Sequence, residues 1–145
     1  MSTNENICYN NDAGKLIIET ELIKKNIDVC KSIISNKTYD FIIVNSKFKT
    51  YKIQIITSNA FNGKKVQFNL KTPRLIDGKV VYKTNQDDVI NFLFCFNNKT
   101  GDIFLLTLPE FKNKTSITFR YDKELTSKNC YKKYLLQNRF DLLEI

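Results

Sequence analysis

The chain has 145 residues, of which 42% are hydrophobic and 26% charged, with only four glycines and two prolines. That length suits one domain able to bury its own core, and the scarcity of glycine and proline argues against long disordered linkers. A net charge of +8 points to an anionic partner, nucleic acid first, while the absence of histidine excludes Ser-His-Asp triads, Cys-His pairs and most zinc sites.

Some of the lysines have another source, because Asn, Lys and Ile together are the alphabet of an AT-rich genome. Cys8, Cys30, Cys95 and Cys130 are widely spaced and form no C-x-x-C pair; Cys95, inside "FLFCF", reads as a small buried apolar residue. The first residues, "MSTNENICYNND", lack the apolar run of a signal peptide, and no apolar run reaches transmembrane length. The expectation is an intracellular protein (cytoplasm or nucleoid, or the host cell if viral) with reduced thiols and no membrane partner. The N-x-T sequons at Asn36, Asn98 and Asn113 then carry no meaning.

In chain order, residues 1–13 read as an arm and 14–145 as a single domain. "GKLIIETELIKK" places apolar residues at 16, 18, 22 and 23, a helical stripe, and Lys15 and Glu19 share another face one turn apart. "NIDVCKSII" is a short strand. "YDFIIV" and "YKIQIIT" flank "NSKFKT" as a hairpin, which sets Asp40 across from about Ile55. "KKVQFNLKT" is a further strand ended by Pro73, and "LIDGKVVYK" holds an Asp-Gly turn. "DDVINFLFCFN" and "GDIFLLTLP" pair across "NNKTG", with Phe92, Phe94 and Phe96 alternating as packing residues. "SITFRYD" is a last strand, and Tyr131, Leu135, Leu136, Phe140 and Leu143 suggest a closing helix or helix fragments. Helix, then strands, then a short helical tail is an α+β arrangement with a mixed sheet.

A helix bearing an acid, followed by a hairpin with Asp on one strand and Gln-x-Lys on the next, is the frame of the PD-(D/E)xK nucleases. Through "GKLIIETELIKKNIDV", "YDFIIVNSKFKTYKIQIITS", "VQFNLKTPR", "DDVINFLFCF" and "GDIFLLTLPEF…SITFRYD" the chain resembles the Gln-x-Lys branch of that superfamily, typified by small intron-encoded homing endonucleases. The resemblance implies a restriction-endonuclease-like fold and a Mg²⁺ site that polarises a phosphate and activates a water. Asp40 matches the family's aspartate and Gln54 its glutamine, but the helix glutamate falls at Lys15 and the lysine at Ile56.

Two functions stay open on that basis. The replacements at Lys15 and Ile56 favour a DNA-binding protein on a nuclease scaffold that has lost cleavage and takes no cofactor. The alternative is an active Mg²⁺-dependent endonuclease with migrated groups: Glu19 one helical turn on, Lys52 on the same strand face as Gln54, and Asp40 with Glu19 as metal ligands. A third possibility is an unrelated binding domain whose hairpin imitates this one. Solvated surface roles for Glu19 and Lys52, with Lys15 and Glu19 paired to each other, are the plain counterpart. Lys64, Lys65, Lys71, Arg74, Lys79 and Lys83 form a candidate phosphate-contacting set, with Tyr82 available for stacking. Lys128, Lys132, Lys133 and Arg139 form a second basic set, and Asp87 and Asp88 read as a turn cap more than a metal pair. DNA is the expected partner, together with a second copy of the chain or an active nuclease.

Overall fold

Gly14, Ile18 and Leu22, each one turn apart, decide which side of the first helix faces inward. The computed structural model describes residues 3–31, 39–84 and 90–144, with side chains at 12–31, 39–70, 77–79 and 90–144. In it α1 spans Thr3–Lys24, so the first turns of the helix occupy most of the segment expected as an arm. An Asn-rich stretch without apolar periodicity offers pattern reading nothing to detect. Ile18 and Leu22 are fully buried, whereas Leu16 and Ile23 are 58% and 55% exposed. The expected stripe is therefore split: at about 100° per residue, Leu16 lies far round the helix from Ile18. Gly14 lets the helix lie close to the sheet, since a Cβ there would fall 2.9 Å from side-chain atoms of both Phe96 and Thr57.

The helix stops in a Schellman turn. Ile27 N–H donates to Leu22 O at 3.1 Å and Asn26 N–H to Ile23 O at 2.9 Å, with Asn26 at φ 60°. Asn is one of the few residues that adopt this conformation readily, and Ile27 and Leu22 bury together beneath it.

The strands follow as β1 Asp28–Lys31, β2 Phe41–Val44, β3 Thr50–Ser58, β4 Lys65–Asn69, β5 Lys71–Ile76, β6 Lys79–Thr84, β7 Phe92–Asn97, β8 Ile103–Thr107 and β9 Ser116–Arg120, with a one-turn helix α2 at Leu108–Phe111. Five of them form the central sheet in the order β1-β2-β3-β7-β8. Its pairings are antiparallel except β3 with β7, which run parallel from Ile53↔Phe92 to Ser58↔Asn97. Asn91 fixes that register: its side-chain oxygen accepts from Lys52 N–H at 2.7 Å, and its own N–H donates to Lys52 O at 2.9 Å. β4 pairs with β9 and β5 with β6 as two antiparallel ribbons.

Two buried asparagines shape the hairpin turns of the sheet. Asn45 Oδ1 accepts from the N–H groups of Lys47 and Lys49, and its amide donates to Leu143 O at 2.9 Å. Phe48 takes φ 62° in that turn. Asn97 Oδ1 likewise accepts from Lys99 and Thr100 N–H in the turn to β8. Because the first turn closes between Asn45 and Lys49, Phe41 pairs with Ile53 and Asp40 falls opposite Gln54, one residue from the expected Ile55. Asp77 and Gly78, at φ 51° and 75°, make the tight β5–β6 turn as expected. Pro73 does not end its strand but pairs with Tyr82 within it, which β5 tolerates because its other side is not paired to a named strand.

The alternation of side chains across the sheet separates two cores. On one face Ile43, Ile53, Ile55, Phe94 and Phe96 pack against Ile18 and Leu22 of α1. On the other, Leu93, Cys95, Phe104 and Leu106 pack against Val66, Phe68 and Phe119 of the β4–β9 ribbon. Each such large side chain contributes about 1.5–3 kcal/mol by leaving water. The layers are thus helix, sheet and ribbon.

The tail forms three short 3-10 turns, Tyr131–Lys133, Leu136–Asn138 and Phe140–Glu144, rather than one helix. Its backbone groups serve the sheet instead: Leu105 N–H donates to Tyr134 O at 2.8 Å, and Phe104 bridges to Leu135. The exposed edge of β8 is covered in this way. Arg139 locks the tail, donating to Lys133 O and Leu105 O and gripping both carboxylate oxygens of Glu110 at 2.6 and 3.0 Å. That residue, expected in a basic surface set, is structural.

Candidate functional site

Asp40 sits at the mouth of β2, where the strand meets the helix layer. Its N–H donates to Ile53 O at 2.7 Å, and its Oδ2 accepts from Ile55 N–H at 2.7 Å, so the carboxylate extends the β2–β3 ladder by one bond. Its Oδ1 is held by Lys15 Nζ at 3.0 Å, reaching over from α1. Both oxygens are thereby engaged.

Lys15 and Glu19 do not pair with each other as their spacing suggests. Glu19 turns instead to Lys31 at the end of β1, at 2.8 Å. One turn of helix therefore contributes to two cross-element ion pairs, which tie α1 to β1 and to the start of β2. Between them lies a cleft of about 300 Å³ lined by Asp12, Lys15, Leu16, Glu19, Lys31 and Phe41. Its two acids and two cations leave it formally neutral.

Gln54 lies opposite Asp40 on β3, with its side-chain oxygen buried and accepting no hydrogen bond among the described residues. Ile56, two places on, packs at the margin of the ribbon-side core. Lys52 is on the same strand face as Gln54, but its ammonium sits 5.5 Å from the centroid of the Tyr39 ring. The structure thus joins Lys15 to Asp40, sets Gln54 opposite Asp40 in register, and ties Glu19 and Lys52 to other partners.

Mg²⁺ needs several hard oxygens, preferably anionic, in near-octahedral geometry. Among the described residues no three His, Cys, Asp or Glu side chains are grouped to hold a metal. With an ammonium on Asp40 and Glu19 already paired, these residues as arranged do not fit a Mg²⁺ ion. Gln54 Oε1 is a buried ligand-type atom that accepts no hydrogen bond among the described residues.

Of the basic set, Lys64 and Lys79 are exposed and Lys65 is half-buried. Lys64 and Lys65 stand at the start of β4, with their N–H groups capped by Asn62 Oδ1 at 3.0 Å. The side chains of Lys71, Arg74, Tyr82 and Lys83 lie outside those described, as do Cys8, Asn36, Asp87 and Asp88. What sequence reasoning missed are the roles of Lys31 as the partner of Glu19 and of Tyr39 beneath Lys52. Neither follows a spacing rule, because both contacts cross between elements.

An N-terminal helix on a mixed sheet whose third strand runs parallel to a late return strand is the α+β arrangement of the PD-(D/E)xK fold. The solved structure of a bacterial homing endonuclease, I-Ssp6803I, is similar to this chain with a TM-score of 0.74, covering 99% of this chain and 94% of that one at 12% sequence identity. At that identity the likeness is one of fold. No protein-family profile matches the chain, and no curated protein sequence matches it. Among the described residues no helix is long and apolar enough to cross a membrane.

Proposed function

We propose that this chain is an intracellular DNA-binding protein built on a PD-(D/E)xK nuclease scaffold, a single domain that no longer performs metal-dependent cleavage. The observation that carries this is the Lys15–Asp40 ion pair. A cation stands on the one carboxylate that the family frame keeps, and a divalent ion has to displace it before it binds. Ile56, where the family has lysine, neither ligates a metal nor stabilises charge on a phosphate. Losing such a charge costs about 3 kcal/mol in barrier by analogy with a lost oxyanion donor. The net charge of +8 supports DNA as the partner, and the subunit acts as a pair with its own copy or with an active nuclease.

One observation favours the second function, a Mg²⁺-dependent endonuclease using Glu19, Asp40, Gln54 and Lys52: the open, buried oxygen of Gln54. The ion pair of Glu19 and the ring contact of Lys52 weigh against it. Calorimetric titration of Mg²⁺ and Mn²⁺ into wild type and Asp40→Ala separates the two. The proposal expects no saturable binding at millimolar metal, together with a duplex-DNA gel shift in EDTA. Metal binding that Asp40→Ala abolishes, accompanied by nicking of supercoiled DNA, would overturn it.

A further inference from the structure

The β4–β9 ribbon closes one core with its inner face, and its outer face is a regular polar array. The register pairs Lys65 with Arg120, Gln67 with Thr118 and Asn69 with Ser116. The intervening Val66, Phe68 and Phe119 point inward and are fully buried, which fixes the polar set on the outer side, since a one-residue slip would bury it. Gln67, Asn69 and Ser116 are exposed and Thr118 half-buried. Residues 64–70 and 112–120 together carry five cations (Lys64, Lys65, Lys112, Lys114 and Arg120) and no acid, and of these Arg120 is already engaged, donating to both carboxylate oxygens of Asp122 at 3.0 Å. Along the outer edge of β9 runs a cleft of about 370 Å³, lined by Lys114, Thr118, Lys128 and Asn129 together with the partly or fully buried Ile117, Phe119 and Tyr134.

We infer that the outer face of the β4–β9 ribbon reads base edges in the major groove of duplex DNA, with Lys114 and Lys128 on flanking phosphates. This rests on the DNA-binding function proposed above and assigns it a surface and a mode. The dimensions agree: two strands about 4.8 Å apart, with side chains on one face, fit a groove about 12 Å wide. So does the chemistry. Asn and Gln amides pair bidentately with adenine N6 and N7, and Ser and Thr hydroxyls accept or donate as the base requires. The basic border along β9 complements the phosphate backbone on that side of the groove. Two other nucleic acids fit less well. Single strands are bound by stacking on aromatic rings, and the outward rows of this ribbon hold none. The major groove of duplex RNA is too deep and narrow for side chains to read.

The test is selection from a pool of randomised DNA duplexes, followed by affinity measurement across a salt series. It uses wild type, Gln67→Ala, Asn69→Ala, Thr118→Ala and the double variant Lys114→Ala/Lys128→Ala. These are surface substitutions, and thermal melts check that each variant is folded. Wild type is expected to select a sequence. Gln67→Ala and Asn69→Ala should each relax preference at one or two adjacent positions by roughly tenfold, leaving the salt slope unchanged. The double lysine variant should weaken all sequences alike and reduce the salt slope by about two. Binding by wild type with an unaltered preference in all three single variants would overturn the ribbon assignment while leaving DNA binding in place. So would binding without any preference. No duplex binding by wild type at low salt would overturn both, which keeps the two failures distinct.

Discussion

Replacing Lys15 by glutamate supplies the helix acid that the proposed nuclease scaffold calls for, so it measures directly what the present cation does. Lys15 and Asp40 are 3.0 Å apart with side chains 40% and 22% exposed. At that exposure the pair contributes about 1 kcal/mol after screening and side-chain entropy. In Lys15→Glu the attraction is lost and a repulsion of similar size replaces it, a fall of about 2 kcal/mol without metal. For a chain of this length each kcal/mol moves Tm by about 3 °C, so the melt should drop by roughly 6 °C. Mg²⁺ then finds two carboxylates where Lys15 Nζ and Asp40 Oδ1 now meet. At ten times its Kd it returns about 1.4 kcal/mol, or roughly 4 °C. The assay is thermal melting by circular dichroism in EDTA and in MgCl₂ at matched ionic strength, wild type beside variant. Wild type should not respond. An equal Mg²⁺ response in both proteins, or none in the variant, would refute the idea that Lys15 stands in the place of a metal.

Arg139→Ala should cost about 2 kcal/mol, less than the 3–5 kcal/mol of a fully buried pair because Arg139 and Glu110 keep 19% and 26% exposure; urea unfolding measures it. Burial pushes the Glu110 carboxyl up, but hydrogen bonds from Arg139 and Thr107, with the guanidinium charge, outweigh it and hold the pKa below the usual value. Its stabilising contribution is therefore complete above the unfolded carboxylate pKa and disappears as pH falls through the lower folded value. Unfolding across an acid pH series should show a shallower loss in Arg139→Ala than in wild type. Gly14→Ala gains about 1 kcal/mol of helix propensity but forces contacts at 2.9 Å against a β-branched strand residue and a packed ring, so denaturation should show a net loss of about 1 kcal/mol. Thiol labelling of the native protein should modify exposed Cys30 quickly. Cys95 should react only on unfolding, since it is buried and burial raises its thiol pKa, and so should the buried Cys130.

The positions of the strands along the chain, the β2–β3 hairpin, the Asp-Gly turn and the inward phenylalanines of β7 were legible because each has a local signature: alternation, a turn dipeptide or an apolar run. The parts that were not legible depend on contacts between elements. The one-residue error at Asp40 came from Asn45, whose side chain closes the turn through a long-range anchor at Leu143 and a Phe at positive φ. The expected Lys15–Glu19 pair gave way because Asp40 and Lys31, distant in sequence, offered each a closer partner. The tail lost its helical continuity to the edge of β8, a hydrogen-bonding demand invisible in its own residues. At the candidate site, the resemblance read from the sequence set a cation, Lys15, in the neighbourhood of Asp40. The ion pair itself depends on a helix and a strand meeting at one corner.

The parallel pairing of β3 with β7 also governs how the chain acquires its shape. Everything from β4 to β6 is looped out between the two strands, and the partner of β4, β9, follows β8 in the chain. Two long closures must therefore be made before the middle of the sheet or the outer ribbon exists, which places refolding among the slower, non-local topologies. During synthesis, a chain that has emerged only as far as β8 holds one strand of the ribbon and lacks the other. Any engagement with a nucleic acid through that surface, as proposed above, awaits the emergence of Arg120, the last residue of β9.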